Sequence, residues 1–120
     1  MPTLPRLRKP LTQDAATSYT LSSEYYLSRE IFELEKQQIF YRTWQYVAHQ
    51  SSLPNPGDYI TLKICDENIF VIRSADNQLR AFYNVCRHRA HELLQGCGNV
   101  RKLIVCPYHA WSYDSAGQLQ

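Results

Sequence analysis

The chain contains no apolar run close to the roughly 20 residues that a membrane-spanning helix requires, so no span is expected. It also lacks a dominant charge sign. Thirteen Lys and Arg against eleven Asp and Glu leave a formal net charge of +2. That surplus argues for neither nucleic acid nor an anionic membrane as partner. Methionine occurs once against nine tyrosines, which leans toward strands with aromatic cross-strand pairs. Internal repeats and low-complexity segments are missing. The N-terminus, "MPTLPRLRKPLTQ", is basic, but three prolines break it and it has no apolar signal-peptide core. The cytoplasm is therefore the expected compartment. Thiols stay reduced there, so the four cysteines point to metal before disulfides. A length of 120 residues predicts one domain with a modest core.

Residues 1–20 read as a flexible or partner-dependent arm, rich in Pro, Ser and Thr and without periodicity. A helix is expected through "REIFELEKQQIFYRTW", with Ser28 as N-cap and Glu30 placing negative charge in the first turn. Ile31, Leu34, Phe40 and Trp44 form its imperfect apolar stripe. Beyond Trp44 the period moves toward two. "WQYVAHQ" reads as a strand and "LPNPGDYI" as a turn, followed by strands "DYITLKIC", "NIFVIRS" and "LRAFYNV". "DE" and "ADNQ" are their hairpin turns. Farther on come the short strand "KLIVC" and the pair "WSYD" and "QLQ", turned by "SAG". The predicted class is mainly β, a small antiparallel module behind a helical lead-in.

Four residues carry the chemistry. Cys86 and His88 form a Cys-x-His pair, and Cys106 and His109 a Cys-x-x-His pair. Three readings compete. A structural zinc ion takes two thiolates and two imidazoles, but zinc spacing usually pairs like with like along the chain. A catalytic Cys–His nucleophile needs one pair and leaves the other unexplained. A two-iron, two-sulfide cluster with two cysteines on one iron and two histidines on the other fits best, because each loop then serves both irons.

"CRHR" followed by "CPYHAWSY" resembles the Rieske domain of the large subunit of Rieske non-haem iron oxygenases. The similarity runs over about residues 30–120 and includes "LPNPGDYI", "VIRSADNQLRAFYNVCRHR" and "DSAGQL", in that order. The resemblance implies an arm and helix over 1–43 and a Rieske [2Fe-2S] domain over 44–120, incomplete at its C-terminal end. Cys86 and Cys106 then hold the inner iron, and His88 and His109 the outer. High-potential respiratory Rieske proteins join the two loops by a disulfide whose cysteines fall at His91 and Tyr108, and carry a serine where this chain has Trp111. Tyr113 occupies the position of a tyrosine that hydrogen-bonds a ligand sulfur. Fewer hydrogen bonds to sulfur imply a potential low in the Rieske range, about −150 mV. "CRHRAHELLQG" and "VCPYHAW" are most similar to the carnitine, or quaternary-amine, oxygenase branch, in which Ala90 replaces the usual glycine.

The resemblance further implies a reductase as electron donor, a homotrimer, and O2-dependent hydroxylation of an organic substrate at a mononuclear iron. Only four histidines occur in the chain, and His49 and His91 are not spaced like that iron's two-histidine, one-carboxylate triad. The catalytic α+β domain is therefore expected to lie outside these residues, with a strand edge left unpaired at Gln120. A free-standing Rieske ferredoxin is the alternative, disfavoured by the helical lead-in. Among the other residues, Cys65 is expected as a small buried hydrophobe in a strand and Cys97 in the loop between the ligand pairs. His49 is expected to be structural, and His91 to pack over the cluster loop or face a partner. Pro107 shapes the second loop. Arg87, Arg89, Arg101 and Lys102 rim the cluster end, either as solvated charges or as a dock for an acidic donor.

Overall fold

The computed structural model describes residue 12 and residues 14–120. It divides into two units, Met1–Gln45 and Tyr46–Gln120. Most of the expected arm lies outside the described residues. Within it, Asp14 organises a turn, accepting from the Ala16 amide through Oδ1 at 2.9 Å and from the Thr17 amide through its carbonyl at 3.1 Å.

The first unit holds α1 (Glu24–Leu27) and α2 (Arg29–Glu35), and α2 runs into a π-turn over Lys36–Phe40. Ser28 caps α2 as expected. Its Oγ accepts from the Ile31 amide at 3.3 Å, and its hydroxyl donates to Glu30 at 2.7 Å. That hydrogen bond is the chief reason the Glu30 carboxyl titrates below its ordinary value. Ile31 is buried. So is Lys36, whose ammonium lies 2.7 Å from Glu33 and over the Phe32 ring. Trp44 does not continue this stripe. The helix ends at Phe40, the Arg42 and Thr43 amides turn back onto the Ile39 carbonyl, and Trp44 is fully exposed.

In the second unit the expected strand "WQYVAHQ" is absent. Residues 44–49 pair with no strand among the described residues, so they lack the ladder of hydrogen bonds that would make a strand. His49 instead caps a 3-10 turn over Gln50–Ser52, its Nδ1 accepting from the Ser51 amide at 3.3 Å. The three expected hairpin strands follow as β1 (Asp58–Ile64), β2 (Glu67–Arg73) and β3 (Leu79–Tyr83), with β4 (Cys97–Asn99) completing an antiparallel sheet of order β3-β2-β1-β4. Strands β5 (Ile104–Val105) and β6 (Ser112–Tyr113) form a second, two-stranded sheet, with a bridge from Tyr113 to Leu119.

Two cysteine expectations are corrected here. The register pairs Ile64 with Glu67, so Cys65 is a turn residue at φ 53° and only partly buried. Cys97 belongs to β4, opposite Ile60, and is exposed. "GCGN" has no strand propensity of its own, and its neighbours impose the conformation. Tyr59 lies against Gly98, where a Cβ would crowd the phenol ring, and Asn99 donates to Asp58 at 2.7 Å. Both thiols are free.

Alternation in β2 buries Phe70 and Ile72 on one face. They join Ile104, Tyr113, Cys86 and Cys106 in a single core cluster. Two of its six members are thus the cysteines singled out from the sequence.

Candidate metal centre

Two loops of identical backbone design project from this core, Cys86–His91 after β3 and Cys106–Trp111 between β5 and β6. In the first, the Cys86 amide donates to the His91 carbonyl (2.7 Å) and the Ala90 amide to the Cys86 carbonyl (2.8 Å). In the second, the Cys106 amide donates to the Trp111 carbonyl (2.8 Å) and the Ala110 amide to the Cys106 carbonyl (2.9 Å). Each loop closes through a left-handed alanine, Ala90 at φ 55° and Ala110 at φ 58°. Glycine adopts that conformation without strain, whereas alanine pays for its Cβ.

Because the loops share one frame, each places its cysteine at the root and its histidine at the tip. Cys86 and Cys106 are 1% and 3% exposed, whereas His88 and His109 are exposed. Sequence neighbours therefore separate by depth, and like meets like. Cys86 and Cys106 are buried in the same core cluster. The His88 and His109 rings meet edge-on at 4.8 Å.

The sulfur environment is polarised. Burial alone would push the Cys86 thiol up. Hydrogen bonds from the Tyr113 hydroxyl and the His88 backbone, together with Cys106 and the Arg89 backbone, outweigh it, and the thiol is lowered. Tyr113 Oη lies 3.4 Å from Cys86 Sγ and accepts from the Arg87 amide at 3.1 Å. The same contact with Cys86, reinforced by burial, raises the Tyr113 phenol.

Two features went unread in the sequence. Trp111 stacks on His88 with ring centres 4.8 Å apart and planes 7° from parallel. Asn84, buried below the first loop, accepts from the Leu93 and Leu94 amides (3.1 and 3.0 Å) and donates to the Leu94 carbonyl (2.7 Å) and Glu92 (3.2 Å). The signal for Trp111 was its offset, five residues past Cys106, matching His91 five past Cys86. His91 does pack across the site, its ring 5.6 Å from Tyr108. Arg87, Arg89, Arg101 and Lys102 are all exposed.

This donor set fits a two-iron cluster better than one ion. A tetrahedral zinc site gathers four donors around one centre. Here the two cysteines lie in the core and the two histidines at the exposed loop tips. A deep thiol pair and a shallow imidazole pair offer two donors to each of two centres. A family model, the Rieske [2Fe-2S] domain, matches residues 43–120.

The chain belongs to the Rieske [2Fe-2S] domain family.

Its Rieske relatives include the carnitine monooxygenase oxygenase subunit of Acinetobacter baumannii, 45% identical over 119 residues, which is 99% of this chain and 32% of that protein. The large oxygenase component of a naphthalene 1,2-dioxygenase system from a Ralstonia species is 42% identical over 92 residues, 77% of this chain and 21% of that protein. Among solved structures, a quaternary ammonium Rieske monooxygenase, described as revealing carnitine oxidation by gut microbiota and inter-subunit electron transfer, superposes with a TM-score of 0.79 at 52% identity, covering 82% of this chain and 27% of that one. The chain thus spans about a third of the carnitine monooxygenase subunit that it matches almost throughout. The antiparallel β architecture expected from the sequence is the Rieske fold of these relatives. No helix among the described residues is long and apolar enough to cross a membrane.

Proposed function

We propose that Cys86 and Cys106 hold the inner iron and His88 and His109 the outer iron of a [2Fe-2S] cluster in an oxygenase large subunit. The observation carrying this reading is the sorting of the four donors by depth, thiols in the core and imidazoles at the tip. When bound, such a cluster accepts and releases one electron at a time. The protein's own groups set the conditions for that step. Tyr113 directs a hydrogen bond at one sulfur. The exposed imidazoles are the first groups that a partner meets, and their free ring nitrogens can exchange a proton and hydrogen-bond a carboxylate.

In the whole protein a reductase would supply the electron, and a mononuclear iron held outside these residues would receive it for O2-dependent hydroxylation of an organic substrate. Carnitine or another quaternary amine is the substrate class we favour, because the carnitine relative matches the helical lead-in as well as the cluster loops. The same coverage supports an oxygenase subunit over a free-standing ferredoxin carrier. The inter-subunit electron transfer of the solved quaternary ammonium monooxygenase supports transfer across a subunit boundary here too, and the assembly we propose is a cytoplasmic homotrimer. We set the domain boundary at 43/44, with the catalytic α+β domain beyond these residues and the exposed Arg and Lys rim facing an acidic donor.

The test is spectroscopic. Protein loaded anaerobically with iron and sulfide, then reduced, should give the EPR signal of a histidine-ligated [2Fe-2S] cluster with two nitrogen couplings. His88→Ala and His109→Ala should each remove one coupling. A colourless protein with one zinc per chain overturns the assignment.

A further inference from the structure

We infer that Trp111 and His91 form a crosswise aromatic clasp in which each cluster loop holds the other, and that Trp111 is the positioning residue for the imidazole plane of His88. This rests on the assignment of His88 as a ligand.

Both residues occupy the same station, fifth after the loop's cysteine, where the carbonyl of that residue accepts from the cysteine amide. The backbone there is pinned to the loop's own root, so the side chain is delivered at a fixed height and points to the opposite loop. Trp111 leaves the second loop and lies flat on His88 of the first, 7° from parallel. His91 leaves the first loop and faces Tyr108 of the second at 5.6 Å, while its own Nδ1 is 2.6 Å from the Glu92 carbonyl. Tyr108 in turn lies 3.9 Å from the His109 ring. His88 is thereby buttressed directly by a side chain of the other loop, while His91 and Tyr108 tie the two loops together.

The two contacts are unequal in geometry. A near-parallel indole fixes the rotation of the His88 ring and covers one of its faces. The tilted His91–Tyr108 contact joins the loops without touching His88. Two effects therefore separate. Losing Trp111 should disturb both loop cohesion and the orientation of His88, whereas losing His91 should disturb cohesion alone.

The experiment compares Trp111→Phe, Trp111→Leu and His91→Ala in the protein loaded with iron and sulfide, using the nitrogen couplings of the reduced cluster and the rate of cluster loss to excess EDTA. Trp111→Leu should lose the cluster roughly three- to tenfold faster, the span that one aromatic stack supports, and should change one nitrogen coupling. Trp111→Phe, which restores a flat face, should stay within about twofold of the parent with both couplings unchanged. His91→Ala is a surface change expected to fold whether or not Trp111→Leu does. It should speed cluster loss and leave both couplings alone. Equal loss rates across all variants, or a Leu variant with the parental couplings, overturns the clasp while leaving the ligands standing. A parent with no nitrogen couplings overturns the ligand assignment and the clasp with it.

Discussion

The Tyr113 hydroxyl lies between a sulfur and a backbone amide, 3.4 Å from Cys86 Sγ and accepting from the Arg87 amide, and it can donate to the sulfur when Cys86 is a thiolate. A hydrogen bond to sulfur favours the reduced, more negative state of a cluster, so its removal lowers the potential. Tyr113→Phe should shift the midpoint downward by roughly 20–60 mV, the one-electron equivalent of a single net hydrogen bond. Redox titration followed by visible absorption measures it, and an unchanged or raised midpoint refutes the role. Ala90 offers a second residue-level test. Its left-handed backbone is one that glycine adopts at no steric cost, and the alanine there stores strain. Ala90→Gly removes that strain but frees the unfolded chain, and the balance should be a gain of about 0.5–1 kcal/mol in chemical denaturation. The sequence made Ala90 visible, and its φ shows that the position is one where alanine is strained. Cys65 is the converse. Alternation through "DYITLKIC" carried it into the strand, but nothing in that pattern reveals the Ile64–Glu67 register that makes it a turn residue.

Among the elements, the β2–β3 hairpin is closed by Asp76 and Arg80, which pair through two bonds of 2.6 and 2.7 Å. The guanidinium holds the Asp76 carboxyl at about 2, below the ordinary 3.8. A carboxyl lowered in the folded state adds stability above its unfolded value and loses it as pH falls through the folded one. The contribution is full above about pH 4 and gone below about pH 2. Asp76→Asn should therefore flatten the fall in urea midpoint across that window and leave the pH dependence above about pH 5 unchanged. Asn84 braces the segment leaving the first loop. Asn84→Ala would leave the Leu93 and Leu94 amides and the Leu94 carbonyl without partners, at about 2–4 kcal/mol by urea denaturation. Hairpin strands were readable from alternation and turn residues. β4 was not, because its glycine and asparagine, with a second glycine just before it, signal a loop, and its pairing with β1 is a long-range fact. The π-turn at Lys36–Phe40 likewise ends the helix before Trp44, where periodicity alone carried it onward.

At the scale of the whole second unit, the core and the candidate metal centre are one structure. Cys86 and Cys106 pack in the same cluster as Phe70, Ile72, Ile104 and Tyr113, so occupancy of the site and cohesion of the fold should be thermodynamically linked. Removing metal and sulfide should lower Tm by at least about 5 °C, the shift that roughly 1 kcal/mol produces in a domain of this size. Equal melting of loaded and stripped protein would place the cysteines outside the cooperative core. The four donors themselves were legible because their spacing is chemically unusual. Their sorting by depth was not, since it depends on two loops sharing one backbone frame.

That sorting has a consequence for how the protein is made. Cys86 and Cys106, the deeper pair, lie beneath the loops that carry them, so iron and sulfide meet them most readily before those loops have settled. The donors that remain accessible on the finished surface are the wrong pair to begin with, since imidazoles alone hold iron more weakly than thiolates. Maturation should therefore precede closure of the loops, or proceed through their transient opening.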